Sequence, residues 1–415
     1  MNSFFDTLEN RAPADREADL LQALPGQVAH ARSRSAAFAE ILADVHPAHI
    51  TSRAALARLP VTRKHELLER QQAQRNQNAF GGFATIGFGA QMPRVFASPG
   101  PIYEPEGIRP DYWRMARALY AAGFRSGELI HNCFSYHFVP AGSMMESGAH
   151  ALGCTVFPGG TGQTEQQVQA MAELRPAGYI GTPSFLKLIV EKAHEMRVPL
   201  PTVTKALLSA EAFPPSLRDW FLERGITGYQ CYGTADLGLI AYETVAREGL
   251  VLDEQVIVEI VRPGTGDPVP EGEVGELVVT TLNTDYPLIR FGTGDLSAIL
   301  PGPCPTGRTN TRIKGWMGRA DQTTKVRGMF VHPGQIAAIA RRFPQVLRAR
   351  LVVSGEMAND QMVLQVETHE TAEGLAHQLA EVVREVTKLR GEVQMVAPGT
   401  LPNDGRVIED ARSYR

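Results

Sequence analysis

Between Arg94 and about Ile313 the chain alternates short apolar runs with longer amphipathic ones: ELIHNCF, SMMESGAHAL, CTVFPGG, TEQQVQAMAELR, AGYIGT and PSFLKLIVEKAHEM follow one another. Short continuous apolar runs suit buried strands, and segments with a helical repeat suit covering helices. Strand and helix in regular succession leave little topological choice, because parallel strands need crossover connections that pack back on the sheet. The predicted fold class is therefore α/β, with a large N-terminal domain of mostly parallel sheet flanked by helices.

The texture differs outside that core. Residues 1–75 read as a helical wrap broken by prolines, ending in LPVTRKHELLERQQ, where Thr62 is the expected helix cap. Residues 250–315 alternate strands with turn signals, as in VIVEIVRPGTGDPVPEGEVGELVVTTL, and predict a β-rich subdomain. A tail containing LRARLVVS, QMVLQVET, the amphipathic AEGLAHQLAEVVREVTKL and EVQMVAP predicts a small α+β domain over 321–415, leaving 1–320 as the N-terminal domain.

Charge and cysteines narrow the function. A formal net charge of -4 with interspersed signs offers no basic stripe for nucleic acid. No run of 18 apolar residues predicts a membrane span, and the N-terminus MNSFFDTLENRAPADREADLL has no signal-peptide pattern, so the expected location is cytoplasmic. Cys133, Cys154, Cys231 and Cys304 are scattered without metal-site spacing. There is no GxSxG elbow, and GGTGQTEQ lacks the third glycine of a dinucleotide fingerprint, which argues against a hydrolase or a dehydrogenase.

Three Gly- or Ser-bearing turns sit where strands should end, the usual position of ligand loops in such folds: GGTGQTEQ, GTPSF and SAEAF. One turn is anomalous. FASPGPIYEPEG lies between an apolar strand and a helical segment, as a phosphate-gripping turn would, yet it holds no Lys or Arg.

Three segments in order, QCYGTADLG, LIRFGTGDLS and GWMGRADQTTKVRGMFVHPGQI, resemble the adenylate-forming enzymes, and among them the phenylacetate-CoA ligases. LPVTRKHEL, GGTGQTEQQVQ, GTPSF and SAEAFPPSLR fall in that family's order, so the resemblance spans nearly the whole chain. It implies the adenylate-forming fold with a mobile C-terminal lid. The implied activity is ATP-dependent conversion of an aromatic or related small carboxylic acid to an acyl-adenylate and then a CoA thioester. The implied ligands are ATP or AMP, Mg2+ and coenzyme A, with a possible homodimer.

The resemblance also assigns roles. Asp295 of GTGD would hold the ribose hydroxyls, and Tyr232, Gly233 and Thr234 would lie along the nucleotide, Tyr232 on the adenine face. Ala210, Glu211 and Ala212 would line its edge. Asp236 stands where the family carries a metal-binding Glu and is the expected magnesium ligand; Asp offers the same hard oxygens on a shorter arm. Arg319 would reach ribose or phosphate, Asp321 would be the hinge, and Gly328 would admit the pantetheine arm. Phe134, Tyr136, Phe138, Ala141, Gly142, Thr182 and Pro183 would shape the acid pocket.

Departures from the family pattern bear on turnover. The anomalous turn keeps Ser98 and Gly100, but Pro99, Pro101 and Pro105 remove amide donors, and Glu104 and Glu106 add negative charge. Ala235 replaces a family hydroxyl, and Arg406 stands where the family has its catalytic Lys, keeping the charge on a bulkier, forked group. PCPTGR resembles part of a zinc cluster found in some relatives but retains only Cys304, so no zinc is expected. Two readings follow: a working ligase with a rebuilt phosphate turn, or a nucleotide- or acyl-CoA-binding protein on the same scaffold that is catalytically impaired.

Overall fold

The computed structural model describes residues 4–262, 264–317, 319–320, 324–327, 329–331, 333–356, 359–369, 374–402 and 406–412. The chain divides into two compact units, Met1–Gly318 and Arg319–Arg415.

The first unit is organised by a nine-stranded sheet. Five strands at one side, in the order Thr227–Thr234, Lys205–Leu208, Gly178–Gly181, Leu129–Asn132 and Thr155–Phe157, run parallel. Helices Ala141–Leu152, Thr164–Leu174, Pro183–Met196 and Pro215–Leu222 supply the crossovers. The sheet is mixed rather than mostly parallel, because Gly238–Glu243 turns back on Thr227–Thr234 and three further antiparallel strands extend it. The turn itself demands glycine: a Cβ on Gly233 would lie 2.5 Å from the Gly238 carbonyl oxygen, where the register shifts.

A second sheet pairs Val256–Val261, Gly275–Thr281 and Phe291–Ser297 in antiparallel fashion. Its edge is completed by Thr62–Arg63, parallel to Phe291–Gly292. That pairing corrects the expected cap. The Thr62 N–H donates to the Arg290 carbonyl, and the helix Lys64–Gln74 is instead capped by the Glu66 carboxylate, which accepts from the Arg63 N–H at 2.8 Å.

The N-terminal helix Pro13–Arg34 buries Leu20, Leu24, Val28 and Ala31, a spacing that keeps them on one stripe. They join a core with Ile257, Leu277, Val279 and Phe291, and each fully buried aliphatic side chain contributes about 1.5–3 kcal/mol. Arg290 fastens the wrap to this sheet. Its guanidinium is buried, and all five N–H donors are used: on both Glu259 oxygens and on the carbonyls of Ala57, Leu59 and Gly266. Such full satisfaction is what makes a buried cation tolerable.

The second unit is a four-stranded sheet in the order Glu392–Val396, Asn359–Glu367, Arg348–Glu356, Ile408–Asp410. Helices Pro333–Arg341 and Leu375–Thr387 carry Ile336, Ile339, Leu379 and Val383 into a core with Leu351, Val353, Leu364 and Val366. Among the described residues no helix is long and apolar enough to cross a membrane.

Candidate active site

The parallel strands of the first unit all deliver their carboxyl ends to one edge of the sheet. There the chain leaves strand geometry at Asn132, Gly181 and Leu208, and enters the loops that carry the residues singled out from the sequence. Ligands of open α/β sheets bind at such an edge.

Tyr232 and Asp295 meet there. The Tyr232 hydroxyl donates to Asp295 Oδ2 at 2.7 Å, and the Trp316 indole N–H donates to Oδ1 at 3.0 Å. The Asp295 N–H is held in turn by Thr293 Oγ1 at 3.1 Å. These bonds fix the carboxylate, and a carboxylate has about four lone-pair sites in all. Trp316 was not anticipated, although it stands inside the GWMGRAD segment. Thr234 ends its strand with Oγ1 accepting from the Leu237 N–H at 3.1 Å, so its hydroxyl shapes the turn.

On the neighbouring loop Ala210 is exposed in a left-handed conformation, φ +69°, and Ala212 is half-buried. Glu211 reaches across to the next helix, where Oε2 accepts from the Ser184 hydroxyl at 2.5 Å and the Ser184 N–H at 3.3 Å. Thr182 caps that helix through the Phe185 N–H, with Pro183 at its first position. Glu211 thus ties the predicted purine edge to the predicted acid wall.

The aromatic residues of the expected acid wall differ in burial. Phe134 is packed in the core with Met144, Met145 and Ile180, and Phe138 is 81% exposed with φ +61°. Tyr136 is half-buried; its hydroxyl accepts from Asn132 Nδ2 at 2.8 Å and donates to Glu146 Oε2 at 2.7 Å. Ala141 and Gly142 begin the following helix, and a Cβ on Gly142 would stand 2.8 Å from the Ser135 carbonyl oxygen and 2.9 Å from the Tyr136 ring.

The anomalous turn is a β-hairpin, with Arg94–Ser98 paired to Ile102–Glu106 and Gly100 exposed at its tip. Two ties dock it. The Ala97 N–H donates to the Phe138 carbonyl at 2.7 Å, and the Gln71 side chain brackets Tyr103 with bonds of 2.8 Å to both backbone groups. Ser98 does not face outward as a phosphate donor. Its N–H donates to Glu104 Oε2 at 3.1 Å and its hydroxyl bonds Glu104 Oε1, so the hairpin spends its donors on its own acid.

A lysine from outside the turn lies nearby. Lys64, first residue of the helix that carries Gln71, places Nζ 2.9 Å from Asp236 Oδ2. Asp236 is 2% exposed, and its Oδ1 is buried without a hydrogen-bond partner. Glu104 is fully buried beside them. Burial pushes its carboxyl up to about 8, the Asp236 charge adds to the rise, and Lys64 and Ser98 oppose it. The Tyr286 hydroxyl, also buried and without a hydrogen-bond partner, lies in the field of both acids.

These donors fit magnesium. Mg2+ takes hard oxygens, commonly from one or two carboxylates with phosphate and water completing the octahedron, and Asp236 has a buried oxygen with nothing to bind. Among the described residues no group of three or more His, Cys, Asp or Glu is placed to hold a metal without such help.

Arg319 and Arg406 belong to the second unit, Arg319 half-buried and Arg406 exposed just before the strand Ile408–Asp410. Asp321 and Gly328 lie outside the described residues.

Known proteins are similar to this chain over most of its length. Residues 112–284 match the family model for AMP-binding enzymes. The chain is 33% identical over 333 residues to a phenylacetate-coenzyme A ligase of Thermus thermophilus, covering 76% of this chain and 72% of that protein. It is 30% identical to another from Aromatoleum evansii, covering 85% and 83% respectively. A crystal structure of 2-hydroxyisobutyryl-CoA ligase with 2-HIB-AMP and CoA superimposes with a TM-score of 0.84 over 98% of this chain and 92% of that one, at 24% identity, which shows a common fold. With two such relatives matched over most of their length, the chain is a member of the phenylacetate-CoA ligase family of adenylate-forming enzymes.

Proposed function

We propose that the protein is an AMP-forming acid–CoA ligase acting on an aromatic or related small carboxylic acid. The observation that carries this reading is that one segment, from Tyr232 in the strand Thr227–Thr234 to Asp236 just beyond it, joins a fixed carboxylate station (Tyr232, Asp295, Trp316) to a lysine–aspartate station (Lys64, Asp236). The first suits a ribose and the second a polyphosphate.

In the first half-reaction a substrate carboxylate oxygen bonds to the α-phosphorus of ATP and the bond to pyrophosphate breaks. Asp295 accepts from the two ribose hydroxyls, and Tyr232 offers its ring to the adenine. Ala210, Glu211 and Ala212 bound the purine, with Glu211 braced on Ser184. Tyr136, Gly142, Thr182 and Pro183 form the acid wall. Lys64 supplies the positive charge that the Ser98–Gly100 hairpin lacks, and Asp236 would hold the metal. Bound there, Mg2+ would neutralise charge on the phosphates. Arg406 and Arg319 add cations from the second unit, Asp321 serves as its hinge, and Gly328 passes the pantetheine arm. In the second half-reaction the CoA sulfur bonds to the acyl carbon, AMP leaves with the electron pair of the broken C–O bond, and the thiol proton passes to solvent.

The test is acid-dependent release of AMP with a matching thioester, detected by mass spectrometry across aryl, arylacetic and short-chain acids. A second reading, nucleotide binding without turnover, is favoured by one observation: Ser98 spends both its donors on Glu104. AMP binding with no thioester from any acid would select it.

Lys64→Met separates the two stations. Losing a charged contact to the β- and γ-phosphates should lower kcat/KM for ATP about 30- to 100-fold, while AMP affinity changes less than about threefold. Equal loss of AMP and ATP binding in that variant would remove the lysine from its phosphate role.

A further inference from the structure

We infer that the protein carries a second small-molecule site, for an aromatic anion, in a cavity of the first unit lined by Tyr120, Arg125, Tyr229, Val245 and Pro305. The inference goes beyond the ligase reading and does not depend on it.

The cavity measures about 560 Å³, inside the range of small-molecule sites. Its position separates it from the candidate active site. Tyr229 and Tyr232 lie three residues apart on the strand Thr227–Thr234, so the alternation of a strand sends their side chains to opposite faces of the sheet. Tyr232 accordingly packs against the core that holds Ile240 and Phe291, and Tyr229 against the one that holds Phe124, Ile130 and Leu207. Arg125 stands before the amino end of the strand Leu129–Asn132, whereas the loops of the active site leave from carboxyl ends.

The lining selects the ligand. Two tyrosine rings with Val245 and Pro305 form an apolar wall suited to an aromatic body. Arg125 brings the charge. Its guanidinium lies 3.7 Å from the centre of the Tyr120 ring, and Nη1 donates to the Tyr120 and Phe124 carbonyls at 2.8 and 2.7 Å. Those contacts hold the side chain in place. An arginine has five N–H donors, and the edge formed by Nε and Nη2 has no protein partner among the described residues. Such an edge is the fork that receives a carboxylate or phosphate through two parallel bonds.

The acids nearby are engaged elsewhere. Glu128 accepts from the Arg125 backbone N–H and pairs with Lys205, Glu9 pairs with Arg117 and with Arg308 on the cavity wall, and Glu243 pairs with Arg218. Among the described residues no acid lines the cavity. Arg247, 5.8 Å from the centre of the Tyr229 ring, adds a cation beside it. Aromatic walls, an open guanidinium fork and no opposing carboxylate together favour a flat anion over a neutral or cationic molecule.

The experiment is calorimetric titration of the full chain with 2-naphthoate, 2-naphthyl phosphate and neutral 2-naphthol. At least one of the two anions should bind, and the pair reports whether the fork takes carboxylate or phosphate. The neutral 2-naphthol should bind about tenfold more weakly or not at all. Arg125→Met should weaken anion binding about tenfold or more, the effect of losing hydrogen bonds to a charged group. Val245 is 67% exposed, so Val245→Trp fills the cavity without entering the core and should remove one equivalent of binding. Arg224→Met takes away another stacked arginine, 3.8 Å from the centre of the Trp220 ring and outside the cavity, and should bind as the wild type does. Thermal melts certify that each variant is folded. No binding of either anion by the wild type would overturn the inference, and so would wild-type binding in both Arg125→Met and Val245→Trp, which would put the ligand at the active-site edge. Equal affinity for 2-naphthol would overturn the choice of an anion. Failure of the ligase reading is distinguishable: anion binding lost in these variants, with no acid-dependent AMP release from the wild type, would sink the ligase and keep the site.

Discussion

Asp295→Ala should weaken AMP binding about 100-fold or more. The carboxylate accepts from the Tyr232 hydroxyl and the Trp316 indole N–H, and the Asp295 backbone N–H donates to the Thr293 hydroxyl. It is 7% exposed, so a ribose docking there meets an acceptor already oriented and largely stripped of water. Hydrogen bonds to a charged group contribute about 1.5–3 kcal/mol each, and two of them make the expected loss about 100-fold or more in Kd. Asp295→Asn keeps the shape and one acceptor oxygen and should lose less. Calorimetric titration with AMP measures both, and a thermal melt separates lost affinity from lost fold. The prediction covers both readings of the protein, because each of them puts the ribose on Asp295. AMP affinity unchanged in a folded Asp295→Ala chain would mean that the nucleotide lies elsewhere.

The α/β core was legible because its two periods are local properties. AGYIGT is short, apolar and ended by a turn residue, and it forms the strand Gly178–Gly181; PSFLKLIVEKAHEM has its apolar residues on one helical face and forms Pro183–Met196. Pairing is not local. Thr62 carries the marks of a helix cap, yet it forms an edge strand on Phe291, and nothing near Thr62 announces that partner. The antiparallel half of the large sheet was missed as such for the same reason: periodicity reveals a strand but not its neighbour's direction.

In the site, the residues that were readable sit in short motifs, and both of the central ones lie on strands. YGTAD and GTGD carry the tyrosine and aspartate that meet at 2.7 Å, although 63 positions separate them. The aromatic residues of FSYHF could not be sorted in advance. The strand ends at Asn132, and beyond it alternation no longer tells inside from outside, so Phe134 enters the core, Tyr136 lies half-buried, and Phe138 swings outward. Lys64 was in view within LPVTRKHEL, but its partner is 172 positions on, and only the fold makes them neighbours. Glu104 was read as charge in the path of phosphate. The hairpin instead folds it inward onto Ser98, where its charge is a matter of stability as well as of binding.

That stability should depend on pH with a sign that Glu104 sets. Burial first, then the Asp236 charge, holds its carboxyl up to about 8, against an ordinary value near 4.5 in the unfolded chain. Between those values the folded chain keeps a proton that the unfolded chain has released, so unfolding becomes easier as pH rises. The contribution is whole below the unfolded value and is lost as pH climbs through the folded one. Glu104→Gln keeps an acceptor for Ser98 and cannot ionise, so the variant should lack this fall and be more stable than wild type at pH 8.5 by on the order of 3 kcal/mol, with little difference at pH 4. Other buried acids slope the wild-type profile in the same direction, Asp111 with its carboxyl raised to about 7 among them, and they persist in the variant. The difference between the two profiles therefore isolates Glu104. Urea unfolding from pH 4 to 9 in EDTA, free of divalent cations, provides it. Parallel profiles would place an ionised Glu104 in the folded chain at neutral pH, compensated by Lys64 and the Ser98 donors; a gap widening with pH would show a carboxyl that burial keeps protonated.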